Sequence, residues 1–198
     1  NSQKKELQTI DQRQLPGHLV FVNLRDEFEV AAAISNMTLR GAPIIGISAA
    51  FGLVMAAWRS PAKELEVMKN NLHQAADLLG KSRPTAVNLT WALRRMLAVA
   101  DSVNGTVDNL QERLEQEAIQ MAEEDVKTNL AISNFGAELI ADGDTIIHHC
   151  NTGALAMVDW GTALGVIRAA HAQGKRVHVL VDETRPRLQG SRLTAWEL

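Results

Sequence analysis

The sequence predicts an α/β fold: a mostly helical first part that carries a small sheet, then one β-α-β unit of a parallel sheet. Three observations predict it. Helical patterns separated by Ser60-Pro61, Ser82-Arg83-Pro84 and Asn104-Gly105 fill most of the first 140 residues. The texture changes at Asp142-Gly143-Asp144, a turn signal. Beyond it, two β-rich runs flank a single helix. Residues 1–140 therefore read as one domain, ending in a long connecting helix over about 107–140, and residues 141–198 as the incomplete start of a second.

Taken in order, Leu19 to Leu24 is a short β-rich run after Pro16-Gly17, and Asp26 is placed to cap a helix running to about Met37. Helices are then predicted over about 43–58, 62–80, 85–101 and 107–140. The apolar stretch Ala42 to Trp58 contains Gly46, Ser48 and Gly52 and falls short of the roughly 20 residues that span a bilayer, so it reads as a buried helix. Glu123-Glu124-Asp125 reads as a solvated helix face. Thr145 to Cys150 is a predicted strand, Gly161 to Ala172 a helix stopped by Gly174-Lys175, and Arg176 to Asp182 a second strand rich in β-branched Val177, Val179 and Val181. Two parallel strands alone cannot be buried on both faces, and a further helix begins near Leu198, so the chain is expected to be part of a longer one.

Composition narrows the function. Hydrophobic residues make up 46%, enough for a core, and 20 Lys plus Arg against 23 Asp plus Glu leave a net charge of −3, too slight to make a nucleic-acid footprint. Aromatic residues are only 4%, with no tyrosine, which removes the stacking platforms of a single-strand binder. One cysteine, Cys150, rules out an internal disulfide framework and suits a reducing compartment, and the polar opening Asn1 to Asp11 has no export-signal pattern. A cytoplasmic protein with neither nucleic-acid nor membrane partners is expected. Gly161-Thr162-Ala163-Leu164-Gly165 is not a dinucleotide fingerprint and there is no Walker sequence, so no nucleotide cofactor is expected, and the glycines read as close helix packing or backbone approach to a ligand.

In an open parallel sheet, ligands bind beyond the carboxyl ends of the strands. Two loops qualify: Cys150-Asn151-Thr152-Gly153 after the first strand, and Asp182 to Gly190 after the second. A free cysteine is commonly inert core filler, but one at a strand end near a helix amino-terminus stands where reactive thiols are made. His148 and Cys150 would share a strand face, yet no second ligand pair with metal spacing follows, so no metal is expected. Arg40-Gly41-Ala42-Pro43 and Arg83-Pro84-Thr85 each put a guanidinium before a helix, an arrangement suited to phosphate although an ordinary solvated arginine looks the same in sequence.

Several longer blocks carry more. Arg40 to Gly46, Ser82 to Leu89, His149 to Gly153, Gly161 to Ile167, Asp182 to Gly190 and Thr194 to Leu198 occur in order, and with them the chain from about Ile10 onward resembles the methylthioribose-1-phosphate isomerase family. The resemblance implies a largely helical amino-terminal domain joined to a Rossmann-like domain, and a homodimer. It implies conversion of S-methyl-5-thioribose 1-phosphate to S-methyl-5-thioribulose 1-phosphate, an aldose-to-ketose isomerisation of methionine salvage that needs no cofactor. By motif, Arg40, Gly41, Ala42, Arg83 and Gln189 are expected to hold the sugar phosphate and Cys150 to be catalytic. The family's catalytic aspartate and an Asn-Lys pair fall beyond Leu198, so these 198 residues alone are expected to be inactive. Two other readings share the fold: an isomerase of ribose 1,5-bisphosphate, and a non-catalytic regulatory subunit like those of translation initiation factor 2B, against which Cys150-Asn151-Thr152-Gly153 argues.

Overall fold

The structure, a computed structural model, describes residues 5–185 and 187–198. The chain forms two compact units: Asn1–Asp11 with Val20–Ala122, and Gln12–Leu19 with Glu123–Leu198.

The first unit opens with an antiparallel hairpin of β1 (Leu7–Ile10) and β2 (Phe21–Leu24), in register from Leu7 opposite Leu24 to Ile10 opposite Phe21. The predicted strand is found in shorter form as β2. Its partner β1 lies in the opening segment that reads as merely polar, because what makes it a strand is pairing across a ten-residue excursion rather than its own pattern. Helix α1 (Glu27–Ser35) starts where predicted: the Asp26 carboxylate accepts the Glu29 N–H at 2.8 Å, and Glu29 in turn accepts the Arg25 N–H at 2.7 Å.

Helices α2 (Ala42–Arg59), α3 (Leu65–Gly80), α4 (Val87–Ser102) and the first part of α5 (Val107–Ala137) follow, each within a few residues of its predicted span. By length and composition α2 could cross a membrane. Here its Ile45, Leu53 and Met55 are buried in the unit's core together with Leu72 and Leu79 of α3 and Leu89 and Met96 of α4. Each such side chain contributes roughly 1.5–3 kcal/mol by leaving water, which accounts for the apolarity of α2. Gly46 sets the spacing of α2 on α4, since a Cβ there would stand 2.8 Å from the Asn88 carbonyl oxygen.

In the second unit, β3 (Thr145–His148) and β4 (His178–Val181) pair in parallel, from Thr145 opposite His178 to His148 opposite Val181, with α6 (Ala163–Ala172) between them in sequence. The predicted β-α-β unit is therefore present. A seam of small residues, Ala137, Ala169 and Ala170, brings the end of α5 against α6, helped by Gly165 against Ser133 and Gly136 against Val166. Of the glycines of the 161–165 run, Gly165 serves close helix packing, while Gly161, at φ +100°, stands against the backbone of Thr152 and Gly153. After β4 the chain makes a π-helical turn at Gly190–Thr194 and a last helical turn, α7 (Ala195–Glu197).

One surface expectation is corrected here. Asp125 is not simply solvated: its Oδ2 accepts the Val158 N–H at 2.9 Å and an Asn129 amide hydrogen at 3.1 Å, and burial raises its pKa against those two bonds. The side chain fastens α5 to the loop before α6.

Candidate functional site

At the carboxyl end of β3 the backbone leaves the strand sharply. His148 is the last paired residue, and Cys150, two residues on, has φ +70°. A side-chain-bearing residue reaches this left-handed region only at a cost of roughly 1–2 kcal/mol, and it persists where surroundings hold it. They do so here. The Cys150 N–H donates to Thr184 Oγ1 at 2.9 Å, its carbonyl accepts from Thr194 Oγ1 at 2.7 Å, and its half-buried Sγ accepts from Gln189 Nε2 at 3.5 Å. Three groups of one residue are thus held by three side chains of the segment after β4.

The rest of the loop is held as firmly. Thr152 caps α6: its Oγ1 accepts the Leu164 N–H at 3.0 Å and its carbonyl the Thr162 N–H at 2.8 Å. The same hydroxyl lies 2.9 Å from His148 Nε2. His148 is 3% exposed, and its Nδ1 meets no hydrogen-bond partner among the described residues. Its pKa is lowered, by burial first and by the neighbouring His149 second, with Asp182 pulling the other way. The expectation that His148 and Cys150 share a strand face fails, because the chain turns between them. Among the described residues no three His, Cys, Asp or Glu side chains converge as a metal site would require. Beside the thiol, His149 Nδ1 lies 2.9 Å from Asp182 Oδ2 across the exposed ends of β3 and β4.

The other expected site residues belong to the first unit. Gly41 is the cap residue of α2 with φ +112° and, having no side chain, leaves the first-turn N–H groups of Ala42 and Ile44 uncapped from its own position. Arg40 immediately precedes it. Arg83 lies in the turn before α4, whose cap residue Ala86 likewise offers no side-chain acceptor. The two approaches meet: Arg83 Nη1 lies 4.0 Å from Met37 Sδ, Ser35 Oγ donates to the Ser82 carbonyl at 3.1 Å, and Gly46 in the second turn of α2 abuts Asn88 at the start of α4. Two helix amino-termini and two guanidinium-bearing turns therefore sit side by side, the pattern that attracts a phosphate.

Sequence reasoning brought Cys150 and Gln189 to one edge and named both arginines. It missed Thr184, Thr194 and Glu197. The only trace of the last two was their place in a block recognised by resemblance.

The sequence from 38 to 198 matches the initiation factor 2 subunit family. The chain belongs to that family. Within it, the chain is 55% identical over 192 residues to a methylthioribose-1-phosphate isomerase of Thermotoga neapolitana, covering 97% of this chain and 55% of that protein. Its structure is similar to the crystal structure of 5-methylthioribose 1-phosphate isomerase from Pyrococcus horikoshii OT3, with TM-score 0.92, 43% identity, and 98% and 54% of the two chains covered. It is also similar to the crystal structure of translation initiation factor eIF-2B subunit delta from A. fulgidus, with TM-score 0.89, 43% identity, and 98% and 58% covered. The chain spans about half the length of the curated relatives it matches, 56% of the Thermosipho melanesiensis isomerase for example. The α/β architecture, helical first and parallel-stranded second, is that of these family members.

Proposed function

We propose that this chain carries part of the active site of a methylthioribose-1-phosphate isomerase, a cytoplasmic homodimer whose second, Rossmann-like domain begins near residue 141. Relatives bearing that name match at 48–55% identity over nearly the whole chain, which favours this activity over others in the family. The observation that carries the reading is the pairing of thiol and amide: Gln189 Nε2 contacts Cys150 Sγ, while Gln189 Oε1 is buried with no donor among the described residues. A buried acceptor left unmet costs roughly 1–3 kcal/mol. A sugar hydroxyl at this spot would relieve that cost and lie beside the sulfur.

Arg40, Gly41, Ala42 and Arg83 hold the sugar phosphate through backbone N–H groups and planar guanidinium forks. With the phosphate fixed, isomerisation becomes a matter of orientation at two neighbouring carbons. The anomeric oxygen carries the phosphate, so the ring opens without a free aldehyde, and hydrogen then passes between adjacent carbons. Cys150 either exchanges a proton through an enolate-like intermediate or assists a direct hydride shift electrostatically.

A second reading, a non-catalytic subunit acting by protein contact, is favoured by the equal 43% identity to the A. fulgidus factor. A third, isomerisation of ribose 1,5-bisphosphate, would need more cations where the methylthio group lies. The test is turnover by the product of the whole gene, offered S-methyl-5-thioribose 1-phosphate and ribose 1,5-bisphosphate in parallel. Preference for the thiosugar by 100-fold or more is the expected result, about 2.7 kcal/mol of discrimination. Turnover of neither substrate sinks the isomerase reading, and preference for the bisphosphate replaces its substrate.

A further inference from the structure

The loop that carries Cys150 is gripped by a segment to which neither the family resemblance nor the proposed chemistry gives a role. Thr194 is wholly buried, and its hydroxyl does two things: it donates to the Cys150 carbonyl at 2.7 Å and accepts from Asn151 Nδ2 at 3.2 Å. Asn151, 3% exposed, sends the same amide group to Glu197 Oε1 at 2.6 Å. Glu197 Oε2 then accepts the Leu155 N–H at 3.4 Å, in the 3₁₀ turn Ala154–Ala156. Three points of the loop, at 150, 151 and 155, are therefore tied to two side chains one helical turn apart.

Gly153 shows that the carboxylate position is built into the loop. Its φ of −88° is open to any residue, so no backbone requirement calls for glycine here. Space does: a Cβ on Gly153 would overlap both Glu197 carboxylate oxygens and the carbon between them. The side chain is absent where the carboxylate of Glu197 sits.

We propose that Thr194 and Glu197 are positioning residues of the isomerase site, which fix Cys150 in its left-handed backbone conformation and so aim its thiol at the substrate. Neither touches the reacting atoms. They act through the backbone carbonyl of Cys150 and the amide of Asn151, holding a conformation that the chain alone disfavours. The proposal rests on the isomerase reading above, and its test has one arm that does not.

In the whole gene product, Thr194→Val keeps shape and removes the hydroxyl, Thr194→Ser keeps the hydroxyl, and Glu197→Gln keeps shape but sets an amide donor against donors. We expect Thr194→Val to lower kcat by about 100-fold and Glu197→Gln by about 10-fold, each with KM within threefold of wild type, while Thr194→Ser stays within threefold in kcat. Gly153→Ala, which displaces the Glu197 carboxylate, should resemble Glu197→Gln. The independent arm is the rate at which iodoacetamide modifies Cys150 in folded protein. Release of the loop should raise it fivefold or more in Thr194→Val and not in Thr194→Ser. Wild-type kcat and alkylation rate in Thr194→Val would overturn the proposal, as would a serine variant as impaired as the valine one, since that loss would come from packing. If the wild-type protein turns over no thiosugar phosphate, the functional reading fails, and the alkylation rates alone decide whether the grip on Cys150 is real.

Discussion

The two units hold their candidate site residues in opposite ways. In the first, Arg40 and Arg83 precede ordinary helices whose cap residues, Gly41 and Ala86, supply no side-chain cap, and the supporting structure is apolar packing behind them. In the second, Cys150 sits in a disfavoured backbone conformation, and hydrogen bonds from Thr184, Gln189 and Thr194 hold it there. The difference teaches what each place can do. A phosphate is large, charged and tolerant of small displacements, so helix termini and long guanidinium side chains suffice. A thiol acting on particular carbon atoms must be placed within a fraction of an ångström, which calls for a loop fixed at many points.

That contrast makes loss of the thiol the largest effect. Cys150→Ala should lower kcat by at least about 100-fold, in the range of a removed proton-transfer group. Because the loop is held through the backbone of residue 150, the thermal midpoint should stay close to wild type. Near-wild-type turnover would remove the sulfur from the chemistry and leave the second unit with no special claim.

Next in size is Arg83→Ala, expected to raise KM by about 10- to 100-fold, the equivalent of a charge-assisted hydrogen bond or two, with a smaller change in kcat. Arg83→Lys should recover only part of it, since an ammonium cannot match a phosphate with two parallel bonds. A change confined to kcat would make the first unit behave like the second. Gly46→Ala probes the support rather than the arginines. A methyl group 2.8 Å from the Asn88 carbonyl should cost about 1–3 kcal/mol in urea unfolding, by overpacking α2 on α4. An unchanged midpoint would show that the helices separate freely.

The same contrast explains what was legible in the sequence. Helices α1 to α5 could be read because their signals are local: Asp26 as a cap, Ser60-Pro61 and Asn104-Gly105 as breaks, apolar periodicity between them. The β-α-β unit was legible for the same reason, as was the pairing of the Cys150 and Gln189 loops on one sheet edge, which follows from parallel topology alone. Strand β1 was not, since its partner lies beyond a long excursion. Nor was the conformation of Cys150, which depends on hydroxyl groups 34 and 44 residues downstream. Resemblance supplied the block that contains Thr194 and Glu197, but only three-dimensional contact gives them something to do.

The smallest expected effect lies under the loop, at His148. Burial holds its pKa below the ordinary value of 6.5, and the Nδ1 atom, which meets no partner among the described residues, would have to carry a proton in the charged form. The unfolded chain takes up that proton near pH 6.5, the folded chain only at lower pH. Between those two values the unfolded state binds more protons, so stability is full above about pH 6.5 and declines as the pH falls through the folded pKa. His148→Asn is neutral throughout and should lack this acid-side decline, although it loses stability overall where the imidazole had packed against Thr152. Urea midpoints of both proteins at pH 8 and pH 5 test the idea: the gap between them should narrow on acidification. Curves that run parallel would mean that the imidazole charges as easily inside the fold as in water, and that the floor of the Cys150 loop is wetter than its burial implies.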